Sequence, residues 1–165
     1  MPIAYVALGA NVPGPYGPPA EAVAKAMDLL DNGDIRVMAR SRLYRSPAWP
    51  DPSDPEFVNA VAKVETSLPG AALLNRLHEI EKTFGRSRGV RNAPRPLDLD
   101  IVDYDGAVSA PGAVPILPHP RLRDRAFVLL PLRDVAPAWI HPEDRTPIAQ
   151  LVARLPDRDA AKPPS

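Results

Sequence analysis

Residues 86–101, RSRGVRNAPRPLDLDI, place four arginines directly upstream of two carboxylates in an apolar stretch. In an extended strand alternate side chains share a face, so Leu97, Leu99 and Ile101 can enter a core while Asp98 and Asp100 occupy the opposite face. The Cα atoms of the two acids then lie about 7 Å apart, from a rise of roughly 3.3 Å per residue. Carboxylates held this close favour a bound cation, and their oxygens suit Mg²⁺ that also bridges phosphates. The pair therefore predicts a metal site for phosphate chemistry.

The arginines of this segment supply the charge that phosphate oxygens need, because guanidinium groups bind them in a bidentate manner. A second basic group, near His119, stands further along the chain. The glycine-rich phosphate-binding motifs GxxxxGKS, GxxxxGKT and GxGxxG do not occur in the sequence. Phosphates must therefore be held by side chains. The alternative interpretation is a solvated strand edge beside an exposed basic loop. The arginines of the two groups are Arg86, Arg88, Arg91 and Arg95, and Arg121, Arg123 and Arg125.

A third group of residues suits a flat heterocycle. Phe57 and Asn59 share one face of a predicted strand, which pairs a stacking ring with an amide that can both donate and accept hydrogen bonds. Phe127 could supply a second ring, and Trp49 lies in a proline-rich loop where a large aromatic side chain often covers a ligand. Core packing of Phe57 and Phe127 is the alternative for both rings.

Length and composition restrict the class of protein. The chain has 165 residues, 45% of them hydrophobic, which is enough for one domain with a real core. Twenty basic and 20 acidic residues give no net charge, which argues against a nucleic-acid or membrane binder, and the absence of cysteine excludes disulfides and thiolate metal sites. We expect a single domain over residues 1–155, a disordered tail over 156–165, and a cytoplasmic location without a signal peptide or membrane span.

Hydrophobic periodicity outlines the order of the secondary structure. It predicts strands at 3–8, 35–44, 57–66, 97–104 and 107–109, and helices at 20–30, 69–84 and 123–130 and from Pro147 onward. Asp105-Gly106 is expected to make a hairpin turn, and Pro131 to end the third helix. The order βαββαβ is that of a ferredoxin-like α+β sandwich, whose mainly antiparallel sheet carries helices on one face and leaves the other face, with mobile loops, for a substrate site.

These segments resemble the 6-hydroxymethyl-7,8-dihydropterin pyrophosphokinase family of folate biosynthesis. The resemblance runs from Ala4 to about Pro142. It rests on YVALGAN at 5–11, LYRSPAW at 43–49, FVNAV at 57–61, IEKTFGRSR at 80–88, RPLDLDI at 95–101 and LPHPRLRDRAFVLLPL at 117–132. It implies a ferredoxin-like fold, ATP with two Mg²⁺ ions, and transfer of an intact diphosphate from ATP to the hydroxymethyl oxygen of the pterin, with release of AMP.

The resemblance also implies a role for individual residues. Asp98 and Asp100 would hold the magnesium ions, and with Arg86 and Arg95 they would form the catalytic set. The ATP site would comprise Leu74, Glu81, Arg86, Arg88, Arg95, Ile101, His119 and Arg125. The pterin site would comprise Ser46, Pro47, Ala48, Trp49, Phe57, Asn59 and Phe127.

Several alternatives stay open at this point. The domain could be a non-catalytic module that holds a nucleotide or pterin, or a magnesium phosphodiesterase for which the pocket at Phe57 and Asn59 would be superfluous. Because 114–117 lacks a basic residue that some family members present to ATP, Arg121 or Arg123 could substitute for it. No residue identifies itself as a general base. The expected partners are the two small-molecule substrates, with no nucleic acid and no membrane, and we expect a monomer that acts alone.

Overall fold

A computed structural model of the protein describes residues 1–46, 56–85 and 96–155. Within these ranges the chain forms five strands and four α-helices. The strands are β1 (Ile3–Ala10), β2 (Ile35–Arg40), β3 (Tyr44–Ser46), β4 (Phe57–Thr66) and β5 (Asp98–Tyr104). The helices are α1 (Pro19–Leu30), α2 (Gly70–Thr83), α3 (Ala126–Val135) and α4 (Ile148–Ala153), with a 3-10 turn at Leu122–Asp124. Predictions for Pro47, Ala48, Trp49, Arg86, Arg88, Arg91, Arg95 and the tail 156–165 lie outside the described residues.

The strands form one antiparallel sheet in the order β2-β4-β1-β5, and β3 pairs with β4 beyond the end of β2. This is the order of a ferredoxin-like sandwich, so the predicted fold is confirmed. The strand predicted at 35–44 is interrupted after Arg40, because the side-chain hydroxyl of Ser41, rather than a backbone carbonyl, accepts from the N–H of Val61 at 2.8 Å. The chain then leaves the sheet and rejoins β4 at Tyr44, opposite Asn59.

Successive side chains along the central strands point to opposite faces of the sheet, and each face carries its own hydrophobic core. One face of β1, β4 and β5 packs against α1 and α2, and it includes Val6, Ala62 and Leu99. The opposite face packs against α3 and α4, and it includes Val61 and Val102. The expectation that helices occupy one face is therefore too simple. Helices α3 and α4 cover part of the second face, and the remaining part of that face carries Asn59, Asp98 and Asp100 among the predicted site residues.

Two local predictions were wrong, each for a physical reason. Pro131 does not end the third helix but lies buried inside α3, whose apolar residues are packed against the sheet. No strand forms at 107–109, because the hydroxyl of Ser109 donates to the carbonyl of Pro115 and accepts from the N–H of Leu117, which folds the segment into a loop. Helix α4 begins at Ile148, directly after Pro147 and one residue from its predicted start. The turn at Asp105 and Gly106 is present, with positive φ at both residues.

Candidate active site

Four residues form a continuous row across the second face of the sheet. Tyr44 on β3 pairs with Asn59 on β4, Asn59 pairs with Gly9 on β1, and Gly9 pairs with Asp98 on β5. Adjacent strands are about 4.8 Å apart, so the Cα atoms of Asn59 and Asp98 are separated by about 10 Å with only a glycine between them. This row brings the predicted heterocycle pocket and the predicted metal site onto one surface.

The two acids occupy the positions that the sequence pattern predicted. Asp98 pairs with Gly9, and Asp100, two residues further along β5, pairs with Ala7. Leu97, Leu99 and Ile101 are buried in the core against α1 and α2, so the intervening carboxylates point to the second face. Both acids are partly exposed. Their side chains can therefore reach a ligand above the sheet.

A buried carboxylate reinforces the strand that carries these acids. Glu81 on α2 is 1% exposed, and its Oε2 accepts a hydrogen bond from the backbone N–H of Leu99 at 2.8 Å. Since β5 is the last strand of the sheet, this N–H points away from β1 and would otherwise lack a strand partner. Glu81 was predicted to line the nucleotide side of the site. Its hydrogen bond to Leu99 shows that it also closes the outer edge of β5.

The other two residues predicted for the nucleotide side lie near the same edge. Leu74 on α2 is partly buried against the first core, and the side chain of Ile101 is 3% exposed within it. Alternate residues of an edge strand direct their backbone groups to the same side, so the N–H and C=O of Ile101 point outward like those of Leu99. A nucleotide base would therefore meet Ile101 through its backbone rather than its side chain.

His119 lies beside β5 and close to the acids. Its backbone N–H donates to the carbonyl of Val102 at 2.9 Å, and its Nδ1 accepts from the backbone N–H of Arg121 at 3.2 Å. Burial, with the positive charges of Arg125 and Arg121, lowers the pKa of His119 from 6.5 to about 4, although Asp98 acts in the opposite direction. The imidazole is therefore neutral at pH 7, and because Nδ1 is an acceptor, Nε2 carries the proton.

The second basic group divides into residues with different environments. Arg123 pairs with Asp144 at 2.7 Å and lies 3.3 Å from Nδ1 of the buried His141, so it joins the loop before α4 to the 3-10 turn. Arg121 is exposed. Arg125 lies close enough to His119 to lower its pKa, and its Cζ stands 5.5 Å from the centroid of the Phe127 ring. Arg123 thus has a structural role that argues against its use as a substitute ATP ligand.

The predicted pterin residues that the structure describes converge on one part of the second face. Phe57, Asn59 and Ser46 all lie where β3 pairs with β4, and the Nδ2 of Asn59 donates to the Oγ of Ser46 at 2.8 Å. Phe57 and Phe127 are both partly exposed, and Phe127 packs at the border of the second core. Both rings are thus available to a ligand, whereas the side-chain amide of Asn59 is held by a hydrogen bond.

Sequence reasoning missed the polar cluster that supports this pocket from α3. Asp134 accepts hydrogen bonds from the hydroxyl of Tyr44 at 2.9 Å, from the backbone N–H of Arg42 at 3.1 Å, and from the Arg42 guanidinium at 3.3 Å. Burial, and then the bond to Asp134, raise the pKa of Tyr44. These contacts join helix α3, which carries Phe127, to strand β3, which carries Ser46. No local motif indicates a contact between residues 90 positions apart.

The donor set at Asp98 and Asp100 fits a metal that is shared with a phosphate ligand. The described residues contain no group of three or more histidine or acidic side chains that could hold an ion by themselves. Mg²⁺ is commonly bound by one or two protein carboxylates, and substrate phosphates and water then complete its coordination shell. In the same described part of the chain, no helix is long and apolar enough to cross a membrane.

Comparison with known proteins shows the family of the chain. Residues 5–137 match the family described as 7,8-dihydro-6-hydroxymethylpterin-pyrophosphokinase (HPPK). The 2-amino-4-hydroxy-6-hydroxymethyldihydropteridine pyrophosphokinase of Methylorubrum extorquens is 40% identical over 138 residues, which are 83% of this chain and 84% of that protein. The protein of the same name from Haemophilus influenzae is 35% identical over 162 residues, which are 98% of each chain.

Longer relatives contain a similar region. The folic acid synthesis protein fol1 of Pneumocystis carinii is 36% identical over 94% of this chain, which spans only 20% of that protein. A Plasmodium falciparum HPPK-DHPS crystal structure has a TM-score of 0.68 at 14% identity, covering 93% of this chain and 44% of the other, and this likeness concerns the fold alone. From the family match and the close relatives, the chain belongs to the 7,8-dihydro-6-hydroxymethylpterin-pyrophosphokinase family and is a pyrophosphokinase of folate biosynthesis.

Proposed function

We propose that the second face of the sheet binds ATP over Asp98 and Asp100 and the pterin beside Asn59, and that diphosphate passes between them along the row through Gly9. The reaction is transfer of pyrophosphate from ATP to 6-hydroxymethyl-7,8-dihydropterin. The observation that carries this arrangement is the pairing of Asn59, Gly9 and Asp98 on three adjacent strands. A separation of about 10 Å leaves room for a pterin ring, its hydroxymethyl arm and the β-phosphate.

Two Mg²⁺ ions, when bound with ATP, would neutralise the phosphate oxygens and polarise the β-phosphorus. Asp98 and Asp100 would hold these ions from one side, since both carboxylates lie on the same face of β5. The hydroxymethyl oxygen attacks the β-phosphorus, the bond to the oxygen that bridges the α- and β-phosphates breaks, and AMP leaves. The hydroxymethyl proton is lost in this step, and the group that accepts it stays unassigned.

The remaining charge would come from basic residues around the acids. Arg86 directly follows Gly85 and Arg95 directly precedes Pro96 in the chain. The two ends of this segment meet at one turn, because a Cβ at Gly14 would lie 3.2 Å from the carbonyl oxygen of Phe84 and 3.0 Å from the Cβ of Pro96. This anchoring supports a role for Arg86 and Arg95, with Arg88, in binding the phosphates close to Asp98.

His119 and Arg125 would complete the phosphate site, since His119 lies beside β5 and close to both Arg125 and Asp98. Arg125 contributes charge, whereas the neutral imidazole of His119 donates a hydrogen bond from Nε2 to a phosphate oxygen. Arg125 lies with its Cζ 5.5 Å from the centroid of the Phe127 ring, so a phosphate bound by Arg125 would lie next to a wall of the proposed pterin pocket. Phe57 and Phe127 would enclose the pterin ring, with Asn59, Ser46 and the segment Pro47, Ala48 and Trp49 supplying polar and covering contacts.

One incubation distinguishes this proposal from the two alternatives. The protein is mixed with ATP, Mg²⁺ and 6-hydroxymethyl-7,8-dihydropterin, and AMP and pterin diphosphate are quantified by chromatography. A pyrophosphokinase forms the two products in equal amounts, and only with pterin and Mg²⁺ present. Nucleotide cleavage that is equal without pterin would indicate a phosphodiesterase, and binding of both ligands without AMP formation would indicate a non-catalytic module. The cytoplasmic location, the monomeric state and the single domain over 1–155 stay predictions.

A further inference from the structure

We propose that Gly9 and Ser46 are positioning residues for the pterin acceptor, which hold the side-chain amide of Asn59 against the floor of the site. Gly9 does so by leaving space on β1, and Ser46 on β3 does so by accepting a hydrogen bond from Asn59 on β4. Neither acts on the phosphates. This inference rests on the proposed function, because it assigns the pterin to the pocket around Asn59.

The role of Gly9 follows from the space above it. Its conformation is that of an ordinary strand residue, so its lack of a side chain is not explained by backbone strain. A Cβ built at Gly9 would lie 3.1 Å from the Oδ1 of Asn59 and 3.8 Å from the Cδ1 of Phe57. The first distance is shorter than an ordinary contact, so an added methyl group would push the amide away from β1. The carbonyl end of Asn59 therefore occupies the volume that a side chain at position 9 would fill.

The role of Ser46 follows from the other end of the same amide. The Nδ2 of Asn59 donates to the Oγ of Ser46 at 2.8 Å, and the two residues are 6% and 3% exposed. A buried hydrogen bond of this kind restricts the rotation of the amide, because a displaced Nδ2 would lose its partner. One N–H of Nδ2 is engaged in this way, and Oδ1 lies over Gly9 as an acceptor. The site is thereby arranged to recognise an N–H group of a heterocycle.

The position of these contacts confines their effect to one substrate. Both lie on the β3, β4 and β1 part of the row, whereas the acids lie beyond Gly9 on β5. Loss of either contact should weaken pterin binding by roughly ten- to a hundredfold, the range that follows from an impaired buried hydrogen bond. ATP binding should stay within about twofold, because the phosphate site is not touched.

The experiment compares Gly9→Ala, Ser46→Ala and Ser46→Thr with the wild type. The matched control is Gly70→Ala, where an added Cβ would make an ordinary 3.5 Å contact with Pro115 far from the row. KM values for pterin and for ATP are measured together with kcat. The dissociation constant of the pterin is also measured by calorimetry in the presence of Mg²⁺ and a non-hydrolysable ATP analogue. Thermal melting checks that each variant is folded.

The expected result is weaker pterin binding in Gly9→Ala and Ser46→Ala, wild-type values in Gly70→Ala, and substantial recovery in Ser46→Thr, which restores a hydroxyl. A folded Ser46→Ala or Gly9→Ala variant with wild-type pterin affinity would overturn the inference, as would equal weakening of pterin and ATP. If Gly9→Ala does not fold, the two Ser46 variants decide the question. Failure of the proposed function would look different. In that case the wild type would form no pterin-dependent AMP, while calorimetry would still report pterin binding.

Discussion

The carboxylate of Glu81 holds the backbone N–H of Leu99, and Leu99 lies between Asp98 and Asp100. Helix α2 therefore contributes to the site without placing a side chain on the face where the acids lie. It fixes the outer edge of the strand from which both carboxylates project. The position of the predicted metal ligands thus depends on a contact that the spacing of the acids does not reveal.

This contact predicts different effects for two substitutions of Glu81. Glu81→Ala leaves the Leu99 N–H without its acceptor and should lower the free energy of unfolding by about 1–3 kcal/mol. Glu81→Gln keeps an acceptor oxygen and should lower it less. Urea denaturation of both variants measures the difference. Equal destabilisation by the two substitutions would show that the negative charge, rather than the hydrogen bond to Leu99, is what matters.

The bond between Tyr44 and Asp134 predicts energetic coupling between β3 and α3. In a double-mutant cycle of Tyr44→Phe and Asp134→Ala, the coupling in unfolding free energy should be about 0.5–3 kcal/mol. Arg42→Ala is the comparison. It should have a smaller effect than Asp134→Ala, because the Arg42 side chain is 62% exposed and exposed ion pairs contribute little. Additive effects of Tyr44→Phe and Asp134→Ala would contradict the coupling.

Asn59 is predicted to contribute to binding of one substrate only. Asn59→Ala removes an amide that can both donate and accept, so the pterin KM should rise by the equivalent of roughly 1–3 kcal/mol. The ATP KM should change little, since Asp98 is two strands away in the row. Steady-state kinetics with each substrate varied in turn measures both values. An unchanged pterin KM would remove Asn59 from the pocket.

The lowered pKa of His119 predicts a particular pH dependence of stability. In the folded protein the pKa is about 4, below its ordinary value of 6.5, so the unfolded chain binds the proton more readily. The stability that His119 contributes is present above pH 6.5 and is lost as the pH falls toward 4. The advantage of the wild type over His119→Gln in unfolding free energy should therefore shrink between pH 7.5 and pH 4.5. An advantage that is constant or grows over this range would mean that burial does not disfavour the charged imidazole.

Local patterns predicted those parts of the fold that depend on neighbours in sequence. Alternation defined β4 as Phe57–Thr66, and it placed Asp98 and Asp100 opposite a buried face of Leu99 and Ile101. The prediction at Pro131 was wrong because burial of α3 against the sheet outweighs the loss of one helical hydrogen bond. The helix propensity of a residue is a local property and does not include the stabilisation that comes from packing against the sheet.

Other features depend on contacts between distant segments and had no local signal. The β-bulge of β5 opposite Tyr5 is one example, since it places Asp103 where its carboxylate accepts from the Nε1 of Trp139 at 2.9 Å. Gly9 is another. A glycine within an apolar strand could have suggested a close approach of another group. The identity of that group, the amide of Asn59, became evident only from the pairing of β1 with β4.

Asp98 and Asp100 are proposed to support diphosphate transfer by holding the metal. The most direct measurement is pterin- and Mg²⁺-dependent AMP release by Asp98→Ala and Asp100→Ala, with Asp105→Asn as a control that removes a carboxylate from the exposed turn after the same strand. Both alanine variants should melt cooperatively like the wild type yet release almost no AMP, while Asp105→Asn should retain wild-type turnover. Near-normal AMP release by folded Asp98→Ala and Asp100→Ala variants would contradict the account.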